Sequence, residues 1–442
     1  KKVFLKGTLI LACTGLVSRI AGFFYRIFLS HAIGAEGLGL YQLILPLQGL
    51  MAALSYTGIQ SALSRLIASR LALQEKKEAY FSLVTGIFAA VFFSAVTGFL
   101  LFRHADFFAS TILKAPGTSD FLRLTAASIP LCAIHSCIDS YYYARKKASV
   151  PAAVQLSEQA VRIGATYILY LIFLSEGRPV TAMIAAGGSL AGEAAASLIS
   201  LLMVSFHFGN HPVKEKTSVK IFPLIKDLFT LSFPISLNRI LLTLLGSIEA
   251  VLIPQMLIRC GMTSSEALKI YGIFTGMALP LLLFPSTLTT SAAVMLMPSV
   301  ARMDALGDQK QIRHVTDQTF FLCMFLGFLC GSGFFLFGPF LGTLLFHSKT
   351  AGTYIRYLSF ICPFLYTNTM LASILQGLGR PGRCLIHSAA GILIRIFSVV
   401  FMIPAIGIRG YFYGIFLGEL LLSLLHVKAL KFPYRQAGDN RL

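Results

Sequence analysis

Long, continuous apolar runs recur along the whole chain of 442 residues, and they constrain its fold more than any other feature. About twenty such residues are needed to cross a bilayer as a helix. With 56% hydrophobic and 12% charged residues, the chain carries more apolar surface than a soluble domain needs. The runs do not alternate with polar residues, which excludes a membrane β-barrel. We predict an all-α polytopic membrane protein with twelve spans: 8–30, 39–62, 81–102, 121–143, 153–175, 181–205, 228–256, 271–299, 317–339, 353–376, 384–404 and 410–430.

The positions of the basic residues predict the orientation of these spans. A net charge of +19 would suit a nucleic-acid partner, but most Lys and Arg lie in short connections between apolar runs, where they set membrane orientation. The tails and the even-numbered connections hold most of them. We therefore predict a membrane protein with both termini cytoplasmic, surrounded by membrane lipids and without a nucleic-acid partner. No small-residue cleavage site follows the basic N-terminus, so the first span is expected to be retained.

A polar segment in the middle of the chain divides six predicted spans from six. It predicts an N-terminal lobe 1–206, a cytoplasmic linker 207–227 and a C-terminal lobe 228–442. Six spans return the chain to its starting side, so the lobes are predicted to be parallel repeats about an axis along the membrane normal. Their matching features, in order, are Ser18-Arg19-Ile20 with Asn238-Arg239-Ile240, Pro130 and Arg162 with Pro363 and Arg395, and Gly188-x-x-x-Gly192-Glu193 with Gly414-x-x-x-Gly418-Glu419.

Arg19 and Arg239 are the most informative of these matches, because each lies near the middle of a predicted span. A cation at that depth costs roughly 2.5–3.5 kcal/mol, so it is expected to face a partner or a water-filled cavity. We predict that the two arginines bind an anionic substrate. The alternative is a structural pair of Arg19 with Glu249 or Glu158. Arg26 lies on the same helical face as Arg19 and either joins the site or extends to the membrane interface.

Two further arginines occupy matching positions in spans five and eleven. Glu158 and Arg162 lie one helical turn apart, which predicts either a local ion pair or a contact to substrate. Arg395 has Gly391 where the first lobe has Glu158. Its charge is therefore expected to lack a local partner and to face a cleft.

The remaining candidates are polar residues inside other spans. His135 and its repeat equivalent Asn368 either bind hydroxyl groups of a substrate or join neighbouring helices. Glu249, in the middle of span seven, is the leading candidate for coupling transport to an ion. Glu193 and Glu419 either carry protons as further ion-coupling candidates, because a buried carboxyl group can be protonated, or lie in water near a helix end.

Three segments resemble a known family. They are 4–26, which contains Ser18-Arg19-Ile20, then Ile33-Gly-Ala-Glu36-Gly-Leu-Gly-Leu-Tyr41, and Ser64-Arg65-Leu-Ile-Ala68. Together they resemble the stage V sporulation protein B branch of the multidrug/oligosaccharidyl-lipid/polysaccharide (MOP) exporter superfamily. The resemblance implies a V-shaped, MATE-like fold of two six-helix lobes that moves lipid-linked sugars between leaflets. It also implies that Arg19, Arg26 and Arg239 contact the lipid diphosphate.

These observations predict a monomeric flippase, related to lipid II flippases, for a diphosphate-linked sugar used in polysaccharide or peptidoglycan synthesis. The alternative is an ion-coupled multidrug exporter of the same fold. Either protein would use Na⁺, H⁺ or the membrane potential, since the sequence has no nucleotide-binding motif. The eight cysteines show no metal-ligand spacing and are interpreted as small apolar residues. We therefore expect no catalytic residue, metal or other cofactor.

Overall fold

The computed structural model describes residues 2–210 and 221–431, and these residues form helices joined by short connections, without a β-strand. The all-α prediction is confirmed. The centre of the predicted linker, 211–220, lies outside the described residues. The α-helices are α1 Lys2–Ala32, α2 Gly34–Ser55, α3 Thr57–Ala72, α4 Lys76–Arg103, α5 Ala105–Phe107, α6 Ser119–Ala144, α7 Ser149–Ser175, α8 Met183–Asn210, α9 Ile221–Arg259, α10 Ser264–Gly272, α11 Leu279–Leu283, α12 Ser286–Ala305, α13 Gln309–Phe346, α14 Lys349–Leu358, α15 Cys362–Gly377, α16 Pro381–Phe401, α17 Ile403–Ile406 and α18 Ile408–Lys431.

Ten helical segments in the described part of the chain are long and apolar enough to cross a membrane. The other two predicted spans, 8–30 and 153–175, lie within α1 and α7. These helices have the required length, with 31 and 27 residues, but are not among the ten. Both carry charged residues in their apolar stretch. The number twelve stays a prediction.

Two predicted spans contain breaks that the hydropathy pattern did not reveal. The predicted span 39–62 is interrupted at Tyr56, between α2 and α3. The predicted span 271–299 is wrong as a single helix, because α11 ends at Leu283 and α12 begins only after Pro285. A proline lacks the backbone N–H of an ordinary helical residue, and its ring clashes with the preceding turn. A stretch of π-helix, Ile273–Ala278, precedes the second break.

Apolar side chains cover much of the outer surface of the long helices. On α13, Phe321, Leu322 and Phe325 are each more than half exposed, and α4 shows the same for Phe88 and Phe92. Exposed apolar patches of this extent are rare on soluble proteins but are expected where helices face lipid.

The described residues fall into two compact units, Lys1–Met277 and Ala278–Leu442. The first contains the six predicted N-terminal spans together with α9 and α10. Within it, Arg70 at the end of α3 pairs with Asp227 on α9 at 3.0 Å, and Gly39 on α2 packs directly against the backbone of Leu268 on α10. A side chain at Gly39 would collide with that backbone. The repeat-based lobe boundaries at 206 and 228 stay a prediction.

The second unit is built around α15. Tyr366 is fully buried, and its hydroxyl donates to the carbonyl of Leu282 at 2.8 Å. Gly377 lies against the Met297 carbonyl of α12, and Gly327 on α13 packs against the backbone of Pro363. These contacts hold α15 between α12 and α13. One face of α15 also meets α18, where the candidate polar residues lie.

Candidate functional site

A buried polar group in the first unit surrounds Glu193 on α8, whose residue is 7% exposed. His135 Nε2, from α6, lies 2.9 Å from Glu193 Oε2. An arginine nitrogen of Arg162, from α7, lies 3.4 Å from Glu193 Oε1 and is also paired with Glu158 one turn earlier. We call His135, Glu158, Arg162 and Glu193 the N-cluster. Three helices thus contribute to one network of buried charges.

The second unit contains an equivalent group around Glu419 on α18. Asn368 Nδ2, from α15, donates to Glu419 Oε2 at 2.8 Å. Arg395 Nη1, from α16, donates to Glu419 Oε1 at 3.4 Å. Ser423 completes the group by donating to Asn368 Oδ1 at 2.6 Å. We call Asn368, Arg395, Glu419 and Ser423 the C-cluster.

The C-cluster contains an ion pair that the sequence pattern did not reveal. Arg395 was expected to lack a local partner because Gly391 replaces the glutamate one turn away on the same helix. Glu419 reaches Arg395 from the neighbouring helix, and exposure of Arg395 to a cleft stays a prediction. The same contact exists in the N-cluster, where Arg162 reaches Glu193. The local ion pair of Glu158 with Arg162 is an addition to this shared arrangement.

Within each cluster, glycines on the glutamate-bearing helix, α8 or α18, allow the arginine-bearing helix to pack closely against it. The Cα of Gly188 packs against Thr166 and the Arg162 carbonyl, so that an added Cβ would lie 2.8 Å from that oxygen. Gly192 is next to the Glu158 carbonyl, with a corresponding distance of 3.0 Å. Such small residues allow two membrane helices to approach closely. Each glutamate directly follows the second glycine of its motif and is therefore held beside the arginine-bearing helix.

The same packing recurs in the second unit. Gly414 lies against the side chain of Ser398 on α16. A Cβ at Gly418 would lie 3.0 Å from the Gly391 carbonyl and 3.1 Å from the Arg395 side chain. The two GxxxG-Glu motifs therefore have the same structural role in the two units. Their glycines allow close helix packing, and the glutamate that follows contacts an arginine on the neighbouring helix.

The three arginines of the predicted anion site have a different environment. Arg19 on α1 and Arg239 on α9 are exposed, and Arg26 is half-buried. Among the described residues, none of the three forms an ion pair. The alternative pairing of Arg19 with Glu158 is not observed, because Glu158 pairs with Arg162. Binding of an anion by these arginines stays a prediction.

The helix that carries Arg19 and Arg26, α1, packs against α7, which is one of the helices of the N-cluster. A Cβ at Gly22 would lie 3.6 Å from the side-chain amide nitrogen of Gln159, and the hydroxyl groups of Tyr25 and Thr166 lie 3.0 Å apart. Arg19 and Arg26 flank Gly22 at three and four residues, which is the spacing of one helical face. Gly22, in the middle of this face, is the residue that packs against α7.

Glu249 is buried on α9, with 6% of its surface exposed. Two residues earlier, Ser247 donates a hydrogen bond to the Pro46 carbonyl at 2.9 Å, which fixes this part of α9 against α2. Glu249 belongs to neither the N-cluster nor the C-cluster. Its ion-coupling role stays a prediction.

Cys132 is a partner of the N-cluster that the sequence pattern did not reveal. Its sulfur, His135 and a Glu193 oxygen provide three ligand atoms that all lie within 4.8 Å of one another. The available signal was the Cys132-x-x-His135 spacing, which puts both side chains on one helical face. The contribution of Glu193 could not be deduced from spacing, because it comes from another helix.

Helices of membrane-spanning length, a lipid-like apolar surface and repeat-related buried charges define a multi-pass membrane protein of the MOP transporter fold. An inward-facing multidrug resistance MATE family transporter of the MOP superfamily superposes with a TM-score of 0.69 at 16% identity, over 95% of this chain and 99% of the other. The lipid II flippase MurJ in an inward closed conformation gives a TM-score of 0.72 at 14% identity, over 96% of this chain and 88% of the other. At these identities, the likeness concerns the fold.

The chain belongs to the polysaccharide biosynthesis protein family, whose pattern matches residues 4–304. It is 30% identical over 438 residues to Stage V sporulation protein B of Bacillus subtilis (strain 168), a match that covers 96% of this chain and 83% of that protein. The resemblance found in residues 4–68 is thereby confirmed over nearly the whole length.

Proposed function

We propose that this protein is a flippase that moves a lipid-linked, diphosphate-bearing sugar precursor from the inner to the outer leaflet by alternating access. The observation that carries the proposal is the pair of exposed arginines, Arg19 and Arg239, on helices α1 and α9. Neither forms an ion pair within the described residues. An uncompensated cation at membrane depth is costly, so its retention is best explained by an anionic ligand.

The chemistry of arginine suits this substrate. Its guanidinium group stays charged at every working pH and donates two parallel hydrogen bonds to phosphate oxygens. In our proposal Arg19 and Arg239 bind the diphosphate, and Arg26 contributes a further positive charge. The sugar, which is bulky and uncharged, would meet polar groups rather than cations.

The N-cluster and C-cluster have a supporting role in this proposal. Arg162 and Arg395 are already paired with carboxylates, so they are weaker candidates for the diphosphate than Arg19 and Arg239. His135 and Asn368 bind Glu193 and Glu419, which favours their role in joining helices over sugar binding. Glu249 is left as the candidate for Na⁺ or H⁺ coupling.

The alternative of a multidrug exporter explains the arginines less well. Its ion-coupled exchange is expected to act on cationic compounds, and exposed arginines would repel a cation. A transport function also accounts for the charge pattern without any catalytic group. Because the short connections on one side carry most of the Lys and Arg, we propose that both termini face the cytoplasm and that the protein lies in the bacterial inner membrane as a monomer.

The proposal is tested by transport of a fluorescent diphosphate-lipid-linked sugar in proteoliposomes. We expect Arg19→Ala and Arg239→Ala each to slow transport by roughly 10-fold to 100-fold, because a hydrogen bond to a charged group contributes about 1.5–3 kcal/mol. The matched control is Arg313→Ala, which removes a guanidinium whose side chain is 87% exposed. Its transport rate should equal that of the parent.

A conservative variant separates charge from geometry. Arg19→Lys keeps the positive charge but loses the planar pair of donors, so it should recover part of the lost rate. A sugar lipid without the diphosphate should be insensitive to both alanine variants. Parent-like transport of the diphosphate lipid by both Arg19→Ala and Arg239→Ala would reject the proposed site.

A further inference from the structure

The thiol of Cys132, the imidazole of His135 and the carboxylate of Glu193 converge in the first unit. Their ligand atoms lie within 4.8 Å of one another, and His135 Nε2 is 2.9 Å from Glu193 Oε2. Cys132 and Glu193 are 6% and 7% exposed, so both are shielded from bulk solvent. His135 retains a side-chain exposure of 13%, which gives the group an opening. The fixed backbones of α6 and α8 position all three.

We propose that these three residues form a binding site for a divalent transition-metal ion of the zinc type. Sulfur, imidazole nitrogen and carboxylate oxygen are the donors that zinc takes in proteins, at about 2.3, 2.0 and 2.0 Å respectively. In a tetrahedral site, nitrogen and oxygen donors lie about 3.3 Å apart. The distance of 2.9 Å between His135 and Glu193 therefore needs to widen by only a few tenths of an ångström.

Asp139 supplies a further group for this site. Its Oδ2 lies 3.8 Å from Nδ1 of His135, on the side of the ring opposite Glu193. Within the described structure, His135 Nδ1 and Asp139 Oδ1 are buried without a hydrogen-bond partner. A carboxylate that accepts from the second nitrogen of a metal-bound imidazole is a recurring feature of zinc sites. A small rotation of the Asp139 side chain would satisfy both orphan atoms.

The charges around the site favour a cation. Asp139, Glu158 and Glu193 bring three carboxylates to this region, while Arg162 brings one guanidinium. Arg162 contacts Glu193 through Oε1, whereas His135 contacts it through Oε2. A divalent ion would displace two protons to solvent, the one shared by Glu193 and His135 and the one on the Cys132 thiol, and its two positive charges would balance the Glu193 carboxylate and the Cys132 thiolate.

The equivalent site in the second unit lacks the additional donors. At the interval that relates His135 to Asn368, Cys132 corresponds to Leu365 and Asp139 to Ala372. Asn368 and Glu419 keep the hydrogen bond that joins the helices. An amide and a carboxylate are therefore sufficient to link α15 with α18. The thiol, imidazole and additional carboxylate all occur in the first unit, where together they form a ligand set.

The site is tested with the full-length protein in detergent by titration with CoCl₂, since cobalt bound to a thiolate gives a charge-transfer absorption. The exposed Cys13 and Cys260 are first replaced by serine to remove background. We expect a band that saturates at one cobalt per chain and is lost in Cys132→Ser. The matched control is Cys137→Ser, which changes a buried cysteine on the same helix and should leave the band intact.

A second variant protects the test against misfolding. His135→Asn reproduces the pairing of Asn368 with Glu419, so it should preserve the fold while cobalt affinity falls by at least about tenfold. Cobalt binding by the parent should also weaken as the pH falls, because protons compete for the ligands. The metal site is absent if the folded parent shows no band, or if the band survives unchanged in folded Cys132→Ser and His135→Asn. Arg19 and Arg239 lie outside the site, so either outcome leaves the flippase proposal standing.

Discussion

At the scale of single residues, the glutamate at the centre of each cluster is held between an arginine and a hydrogen-bond donor. Glu193 has Arg162 and His135, and Glu419 has Arg395 and Asn368. A buried ion pair is not in itself a large source of stability, because both charges lose their hydration. Removing one partner is costly, however, since the remaining charge is then buried without compensation.

Arg395 tests this asymmetry. We expect Arg395→Met to destabilise the protein by about 3–5 kcal/mol, because Glu419 would keep its charge without a cation. The double variant Arg395→Met/Glu419→Gln should regain most of the loss, since glutamine can still bind Asn368. The measurement is the midpoint of thermal unfolding in detergent. Equal midpoints for Arg395→Met and the exposed control Arg313→Met would show that the pair has no structural role.

The sequence pattern singled out both Arg395 and Glu419 but did not predict that they form a pair. Arg395 and Glu419 are on different helices, 24 residues apart. Spacing along one helix reveals Glu158 with Arg162, because a helix brings residues four apart together. It cannot reveal which neighbouring helix approaches, and the same limit concealed the contribution of Glu193 beside Cys132 and His135.

At the scale of helices, the GxxxG segments determine which partners meet. Predicted spans agree with helices where apolar runs are uninterrupted, since hydropathy and helix length follow directly from the bilayer. The hydropathy pattern does not predict the helix interruptions at Tyr56 and Pro285, because the sequence stays apolar across them. Hydropathy measures only the free energy of transferring a segment from water into the membrane. When a helix interruption is buried among other helices, this free energy is nearly the same as for a straight apolar helix.

Gly188 provides the test at this scale. A methyl group there would collide with Thr166 and lie 2.8 Å from the Arg162 carbonyl, so Gly188→Ala must push α8 away from α7. We expect the thermal midpoint to fall and the N-cluster contacts to loosen. The matched control is Gly164→Ala on α7, where an added Cβ meets no atom within 4 Å and alanine favours the helix. A Gly188→Ala protein as stable as Gly164→Ala would exclude close packing at this crossing.

At the scale of the whole molecule, the chain combines a general membrane fold with an unusual distribution of charge. The fold is shared with transporters at 14–16% identity, so it does not specify what is moved. Specificity must come from individual side chains, and Arg19 and Arg239 are the ones we propose. The repeat was visible in the sequence because it preserves residue types at fixed intervals, whereas the compact units group α9 and α10 with the first six predicted spans.

The charge of the substrate leads to a prediction about the energy source. Each charge that crosses the full membrane field changes its free energy by about 2.3 kcal/mol per 100 mV. For an anionic diphosphate, an inside-negative potential favours outward movement, whereas the same potential would oppose the export of a cationic drug. At equilibrium, this amounts to roughly a fifty-fold shift in distribution between leaflets for each charge at 100 mV.

The prediction is tested with a potassium diffusion potential, set by valinomycin, across proteoliposomes of uniform protein orientation. We expect the diphosphate-linked sugar to accumulate in the outer leaflet when the inside is negative and to return when the potential is reversed. An Arg19→Ala/Arg239→Ala protein should lose the response because the anion is no longer bound. A distribution that ignores the sign of the potential would mean that a co-transported cation cancels the substrate charge, and Glu249→Gln would then be the variant expected to restore sensitivity.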